Sequence, residues 1–307
     1  MKKTLLLIGA AGFLGRHFAN YFSQKNWKVV GIDFVPRGKA PLPDLFKYFS
    51  MQLPDPKFEK AVFEIQPDAC IHSAGLASVK LSMENPSADY QGGPALTHYV
   101  LNTLREHAHD CRFVFLSSAA VYGNPLSLPV SEKQLPSPIS TYGFNKWQSE
   151  LMCREFSIIY GLSVAIVRIF SAYGQGLRQQ VIWDICQKAS SGHIINLEGT
   201  GNESRDFIHA SDIALGIEKI LVNKNMEIEI YNLASGKETT IRDLSRLILH
   251  NLGADQNKIS FTNSIPAGKP LNWVADISHI GQLGFKPKIS LEEGIKSYVN
   301  WFKKNKG

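Results

Sequence analysis

Leu5-Leu6-Leu7-Ile8-Gly9-Ala10-Ala11-Gly12-Phe13-Leu14-Gly15 is the stretch that decides the fold. The run from Lys3 to Ile8 shows no polar alternation, so it reads as a parallel strand buried on both faces. It leads directly into three glycines separated by two residues each. Gly9 permits a tight turn, Gly12 lets the backbone approach a pyrophosphate, and Gly15 lets the following helix pack on the strand. The helix-terminal N–H groups, those of Phe13 and Leu14 among them, then aim at the phosphates. A second strand over 28–32 ends in Asp33, whose carboxylate can hold both hydroxyls of an adenosine ribose and repels a 2′-phosphate. This favours NAD over NADP, with Arg37 near enough in sequence to weaken the discrimination.

Outward from that turn, strand and helix patterns alternate. Strands are expected over 69–73, 112–117 and 163–169, and helices over 56–65, 94–107 and 141–160. This alternation predicts an α/β fold, a Rossmann-type doubly wound parallel sheet. After Tyr173 the order loosens into a helix over 179–190, a short strand over 194–197, the loop Gly199-Thr200-Gly201-Asn202, and helices over 213–221 and 241–252. The expected division is a NAD-binding domain over 1–172 and a smaller C-terminal α/β substrate domain over 173–307, with some segments returning to the first. The longest irregular stretch, 125–140, is rich in proline and serine and immediately precedes the 141–160 helix, which places it on the rim of a site.

Within that helix, Tyr142 and Lys146 are four residues apart and share a face, so phenol and ammonium can act on one substrate. A free phenol is a poor base at neutral pH, and an adjacent cation favours its phenolate. Ser118 precedes the pair, and the combination with a dinucleotide turn points to hydride chemistry.

Composition narrows the class further. The 307 residues, 44% of them hydrophobic, suffice for one large or two medium cores. The net charge of +6 is spread out, and its one dense cluster, Lys303-Lys304-Asn305-Lys306, lacks interleaved aromatics. No nucleic-acid partner is expected. Cys70, Cys111, Cys153 and Cys186 are far apart and lack metal-ligand spacing, so they read as reduced packing residues with no metal. The apolar stretch at the start is too short and glycine-rich for a membrane span, and no cleavage site follows a charged region. A cytoplasmic enzyme is expected.

Taken together, these residues resemble the extended short-chain dehydrogenases/reductases, specifically the nucleotide-sugar epimerase/dehydratase branch. The resemblance spans nearly the whole chain. It rests on Gly9, Gly12 and Gly15, on Asp33, on His72-Ser73-Ala74-Gly75, and on Ser117-Ser118-Ala119-Ala120-Val121-Tyr122-Gly123. It extends to Tyr142 with Lys146, to Arg168-Ile169-Phe170-Ser171-Ala172-Tyr173-Gly174, to Arg205-Asp206-Phe207-Ile208-His209, and to Leu283-Gly284-Phe285-Lys286-Pro287 with Trp301. It implies that Ser73, Ala74 and Gly75 lie along the cofactor. Tyr142 would take the proton of a sugar hydroxyl while the hydride goes to the nicotinamide, Lys146 would hold the nicotinamide ribose, and Ser118 would hydrogen-bond the reacting oxygen.

On the substrate side the resemblance implies contacts from Ala119, Ser171 and Arg205, with Arg205 paired to the diphosphate. Lys269 either replaces a second arginine or is a solvated loop lysine. Asp206, His209 and His72 read as structural. The family's dehydratases, decarboxylases and 3,5-epimerases carry acids or a cysteine at the positions of residues 119 and 120, where this chain has two alanines. The first expectation is therefore C4 epimerisation of a nucleotide-diphosphate sugar through a transient 4-keto intermediate. The alternatives are a 4-dehydrogenase or ketoreductase, or a non-catalytic NAD-binding protein. The resemblance also implies a homodimer through the 94–107 and 141–160 helices.

Overall fold

A computed structural model describes residues 2–39, 42–43, 45–190, 194–223, 228–264, 268 and 270–305. The first half runs β1 (Lys3–Ile8), α1 (Phe13–Ser23), β2 (Trp27–Asp33), β3 (Lys47–Ser50), α2 (Pro56–Ile65), β4 (Ala69–His72), α3 (Val79–Glu84), α4 (Pro86–Tyr90), α5 (Leu96–His107), β5 (Arg112–Ser118), α6 (Thr141–Tyr160) and β6 (Val164–Ile169). Then follow β7 (Ser171–Tyr173), α7 (Gln180–Ser190), β8 (Ile195–Leu197), β9 (Ser204–His209), α8 (Ala210–Val222), β10 (Glu229–Leu233), β11 (Glu238–Thr240), α9 (Ile241–Leu252), β12 (Ile259–Phe261), α10 (Ser278–Gly281) and α11 (Leu291–Lys304).

Seven parallel strands form the central sheet in the order β3-β2-β1-β4-β5-β6-β10. The apolar run of β1 is explained by its burial on both faces. Leu5 and Leu7 meet Phe18 and Phe22 of α1 and Ile213 and Ile217 of α8. Leu6 and Ile8 point the other way, toward Phe58 of α2, Leu104 of α5 and Phe156 of α6, as the two-residue period of a strand requires. Strand order reverses between β1 and β4, which opens a crevice at their carboxyl ends.

Two departures from the sequence expectation have local causes. Helix α5 starts at Leu96, after a π turn over Gln91–Ala95 that contains Pro94. Helix α8 starts at Ala210 rather than 213, because the His209 imidazole accepts the Ser211 N–H and caps it; histidine is not among the usual capping side chains. Helix α11 is stapled by a capping box between Ser290 and Glu293 and buries Ile295, Tyr298 and Phe302 against Leu244 and Ile248 of α9.

Beside the main sheet, β7, β9 and β11 form a three-stranded sheet, and β8 pairs with β12. Strand β10 and helix α8 return from this second half to the central sheet. Among the described residues, no helix is long and apolar enough to cross a membrane.

Candidate active site

The glycine turn is set by contact as well as by conformation. Gly9 has φ +82, and a Cβ on it would stand 2.6 Å from the Ala74 backbone nitrogen, so the loop after β4 presses directly on the turn. This brings Ser73 and Ala74 alongside Gly9, with the Ser73 N–H donating to the Ile8 carbonyl at 2.9 Å. Helix α1 has Gly12 at its N-cap and no side-chain cap, which leaves its first N–H groups, those of Phe13 and Leu14 included, open to an anion.

Asp33 is buried at the end of β2 and accepts from the Ala11 N–H at 2.9 Å and the Val35 N–H at 3.1 Å, one on each oxygen. Each oxygen keeps a lone pair for a ribose hydroxyl. Arg37 is held apart, donating to the carbonyls of Leu42 and Pro43 and stacking on Tyr48. An uncapped helix, a glycine turn and a prepared carboxylate fit the pyrophosphate and ribose of NAD.

Tyr142 reaches Ser118 because two segments approach unusually closely. A Cβ on Gly143 would lie 2.6 Å from the Ala120 carbonyl oxygen, so only glycine lets the first turn of α6 rest on the turn after β5. Ser140 caps the helix through the Gly143 N–H at 3.2 Å. The Ser118 hydroxyl accepts from the Ala120 N–H at 3.1 Å and lies near enough to the Tyr142 phenol to favour its ionised form. Lys146 donates to the Leu116 carbonyl at 2.8 Å, with its ammonium 5.8 Å from the Tyr142 ring centroid and 4.9 Å from that of Phe115.

The electrostatics correct one expectation. Burial pushes the Tyr142 phenol up to about 12, with Ser118 opposing and Asp89 reinforcing the rise. In the free protein, Lys146 does not bring it down. Burial pulls the Lys146 ammonium down to about 8, opposed by Asp89, Cys153 and Glu150.

Beneath the pair lies a group that sequence reasoning missed. Glu150 accepts from Arg168 at 2.6 Å and from the Ser117 hydroxyl at 2.5 Å, with both members of the ion pair almost fully buried. It sits four residues beyond Lys146 on the same face of α6, and that spacing was the available signal. Removing one partner of such a pair costs about 3–5 kcal/mol; by tying α6 to β6 and to the residue next to Ser118, it fixes the catalytic strand.

The substrate-side residues are less closely gathered. Ser171 opens β7 and lies opposite Phe207 on β9, the strand that carries Arg205. Arg205 stacks on Trp273 at 5.3 Å and donates to the carbonyls of Ser204, Pro270 and Leu271. Burial lowers it to about 10, so it remains cationic at neutral pH. No carboxylate lies within salt-bridge distance of it among the described residues, and its charge is open to an anion.

Ala119 is fully buried in a cluster with Tyr122, Phe170 and Trp273 and exposes no side-chain surface. Ala120 keeps 8% exposure. Lys269 lies outside the described residues. Asp206 accepts four hydrogen bonds from Ser235, Gly236 and Ala275 and braces its loop. Burial depresses His209 to about 4 and His72 to about 3, which leaves both neutral.

The model of the NAD dependent epimerase/dehydratase family matches residues 5–234. A candidate UDP-glucose 4-epimerase of Methanocaldococcus jannaschii is 31% identical, with 98% of this chain and 99% of that protein covered. The UDP-glucuronate 4-epimerase of Thermodesulfobacterium geofontis is 28% identical over 98% of this chain and 96% of its own length. Among solved structures, the UDP-N-acetylglucosamine 4-epimerase of Methanobrevibacter ruminantium, in complex with UDP-N-acetylmuramic acid, superposes with a TM-score of 0.88 at 27% identity, covering 99% of each chain. With the glycine turn, the ribose carboxylate and the Tyr142–Lys146 face all in one crevice, the chain belongs to the NAD dependent epimerase/dehydratase family.

Proposed function

We propose that this protein is an NAD-dependent nucleotide-sugar 4-epimerase acting on UDP-sugars through a transient 4-keto sugar. The observation that carries this reading is the convergence of Ser118, Tyr142 and Lys146 beside two alanines. Neither residue 119 nor residue 120 can supply the additional acid or base that eliminating water or inverting another carbon demands. The relatives described above are 4-epimerases, or a candidate one, whose names specify UDP-sugars.

When bound, oxidised NAD supplies a hydride acceptor and a positive ring charge. Tyr142 takes the C4 hydroxyl proton and returns it, and Ser118 hydrogen-bonds the same oxygen as its charge changes. Lys146 holds the nicotinamide ribose and adds positive charge beside the phenol. Asp33 holds the adenosine ribose, the turn from Gly9 to Gly15 receives the pyrophosphate, and Ser73, Ala74 and Gly75 line the cofactor. Arg205 pairs with the sugar diphosphate, with Ser171 beside it.

The exposed face of α6, with Phe144, Leu151 and Ile158 at seven-residue spacing, suits a homodimer interface of paired helices. Four buried cysteines, none of them in a disulfide, suit a reducing cytoplasm.

The test is a panel of UDP-, GDP-, dTDP- and CDP-sugars incubated with substoichiometric NAD in deuterated water and followed by NMR. The expected result is a UDP-sugar interconverted with its C4 epimer, without net NADH and without deuterium on carbon. Stoichiometric NADH with an accumulating 4-keto sugar would establish a dehydrogenase instead, and a deoxy product with deuterium at C6 would establish a dehydratase.

A further inference from the structure

The cavity beside Tyr142 holds a carboxylate that the mechanism above does not use. Asp89 is 3% exposed and accepts from the Asn145 amide at 2.7 Å. Asn145 lies between Tyr142 and Lys146 on α6, three residues after one and one before the other, so a residue of the catalytic helix itself anchors the carboxylate. Asp89, Asn145, Tyr142 and Lys146 all line one small cavity, together with Gly75 and Gly93. The π turn over Gln91–Ala95 follows directly, and its paired glycines leave that wall without side chains. Asp89 is the only acid among the lining residues.

We propose that Asp89, aimed by Asn145, is the counter-charge that keeps Lys146 cationic in the closed site, and so is a positioning residue that sets the pH range of the reaction. The physical need is plain. An ammonium removed from water loses its proton more readily, and among the described residues Lys146 hydrogen-bonds only the Leu116 carbonyl.

The groups facing Lys146 are Asp89 from α4, Tyr142, Glu150 and Cys153 from its own helix, His72 from β4, and the Phe115 ring and Leu116 carbonyl from β5. Glu150 is already committed to Arg168 and Ser117, and His72 is neutral. Among the described residues that face Lys146, Asp89 is therefore the one negative charge not already paired with another cation. It opposes the fall of the Lys146 ammonium and reinforces the rise of the Tyr142 phenol. Without it, both groups would lose their protons at lower pH.

Asp89→Asn separates charge from structure, because an asparagine still accepts from the Asn145 amide. This role rests on the 4-epimerase reading above, so the first measurement needs neither substrate nor cofactor. In protein carrying lysine labelled with ¹³C at Cε, the Lys146 signal is identified by its loss in Lys146→Met and titrated by NMR. A wild-type midpoint near 8 is expected, falling by about one pH unit in Asp89→Asn, the low end for a neighbouring opposite charge. An unmoved midpoint overturns the proposal whatever the substrate proves to be.

The second measurement is the pH profile of kcat/KM on whichever sugar turns over. Both limbs are expected to move to lower pH in Asp89→Asn and to return in Asp89→Glu. A midpoint that moves while the limbs stay fixed would remove Asp89 from catalysis. Asn145→Ala leaves the charge but frees it, and should shift the Lys146 midpoint by less than Asp89→Asn does; a larger shift would contradict the assignment. Should Asp89→Asn not fold, Asn145→Ala carries the test alone, and an unmoved midpoint there counts against the proposal.

Discussion

On the cofactor side of the crevice, residues 3–33 supply strand, glycine turn, helix and Asp33 in one unbroken segment. The substrate side is assembled from pieces: the turn after β5, the start of β7, strand β9 with Arg205, and the segment around Trp273. Each piece contributes one or two side chains, and what positions them is contact between distant segments. Arg205, for example, is fixed by the carbonyls of Pro270 and Leu271. A short local segment has a readable pattern, whereas a site built from scattered contributions has none until the chain is folded.

The largest effect is expected where the two sides meet. Tyr142→Phe should keep the fold and NAD affinity while lowering turnover by about 10² or more, as for a lost general base. Near wild-type turnover by Tyr142→Phe protein would mean that the reacting hydroxyl does not face α6.

One buried histidine lies on each side, which gives the comparison a pH readout. His72 near the cofactor strand end and His209 at the head of α8 titrate at about 3 and about 4 in the fold, both because burial opposes their charge. An unfolded histidine titrates near 6.5, so as pH falls below that value the unfolded chain takes up protons that the native protein does not. Stability is thus intact above about 6.5 and declines below it, by roughly 1.4 kcal/mol per pH unit for each histidine. Melting temperatures measured from pH 7.5 down to 5 should fall progressively. A flat profile would mean that the two rings are not held neutral.

Arg205→Ala and Asp33→Asn probe the sides separately. Loss of the Arg205 guanidinium removes charge-assisted hydrogen bonds worth about 1.5–3 kcal/mol, so KM for the nucleotide sugar should rise about tenfold to a hundredfold with NAD affinity unchanged. A parallel loss of NAD affinity would show that the two sides are not independent. Asp33→Asn should have the smallest effect, narrowing the preference for NAD over NADP in calorimetric titrations while leaving the sugar KM alone. Because Arg37 is tied to Leu42 and Pro43, it is not expected to compensate.

What the sequence disclosed follows the same division. The doubly wound sheet, the glycine turn, Asp33 and the span of α6 were legible, since each depends on a run of neighbouring residues with a strand or helix period. A return of some later segment to the first domain was expected, but that the segment is β10 was not legible, because its partner β6 lies some 60 positions earlier. The burial of Ala119 was hidden for the same reason, as it depends on Phe170 and Trp273. The helical spacing did place Tyr142 and Lys146 on one face, but it could not show that burial, rather than the neighbouring ammonium, dominates the phenol. Nor did it mark Asp89, whose partner Asn145 lies on another helix.

The central claim is that one hydride leaves C4 and returns to C4 within a single closed site. The most direct measurement uses the UDP-sugar that turns over, labelled with deuterium at C4 and incubated in ordinary water with substoichiometric NAD. The C4 epimer is expected to form with its deuterium still on C4 and without accumulation of the 4-keto sugar. Deuterium transferred to the NAD pool in proportion to product, or a 4-keto sugar that persists, would contradict it.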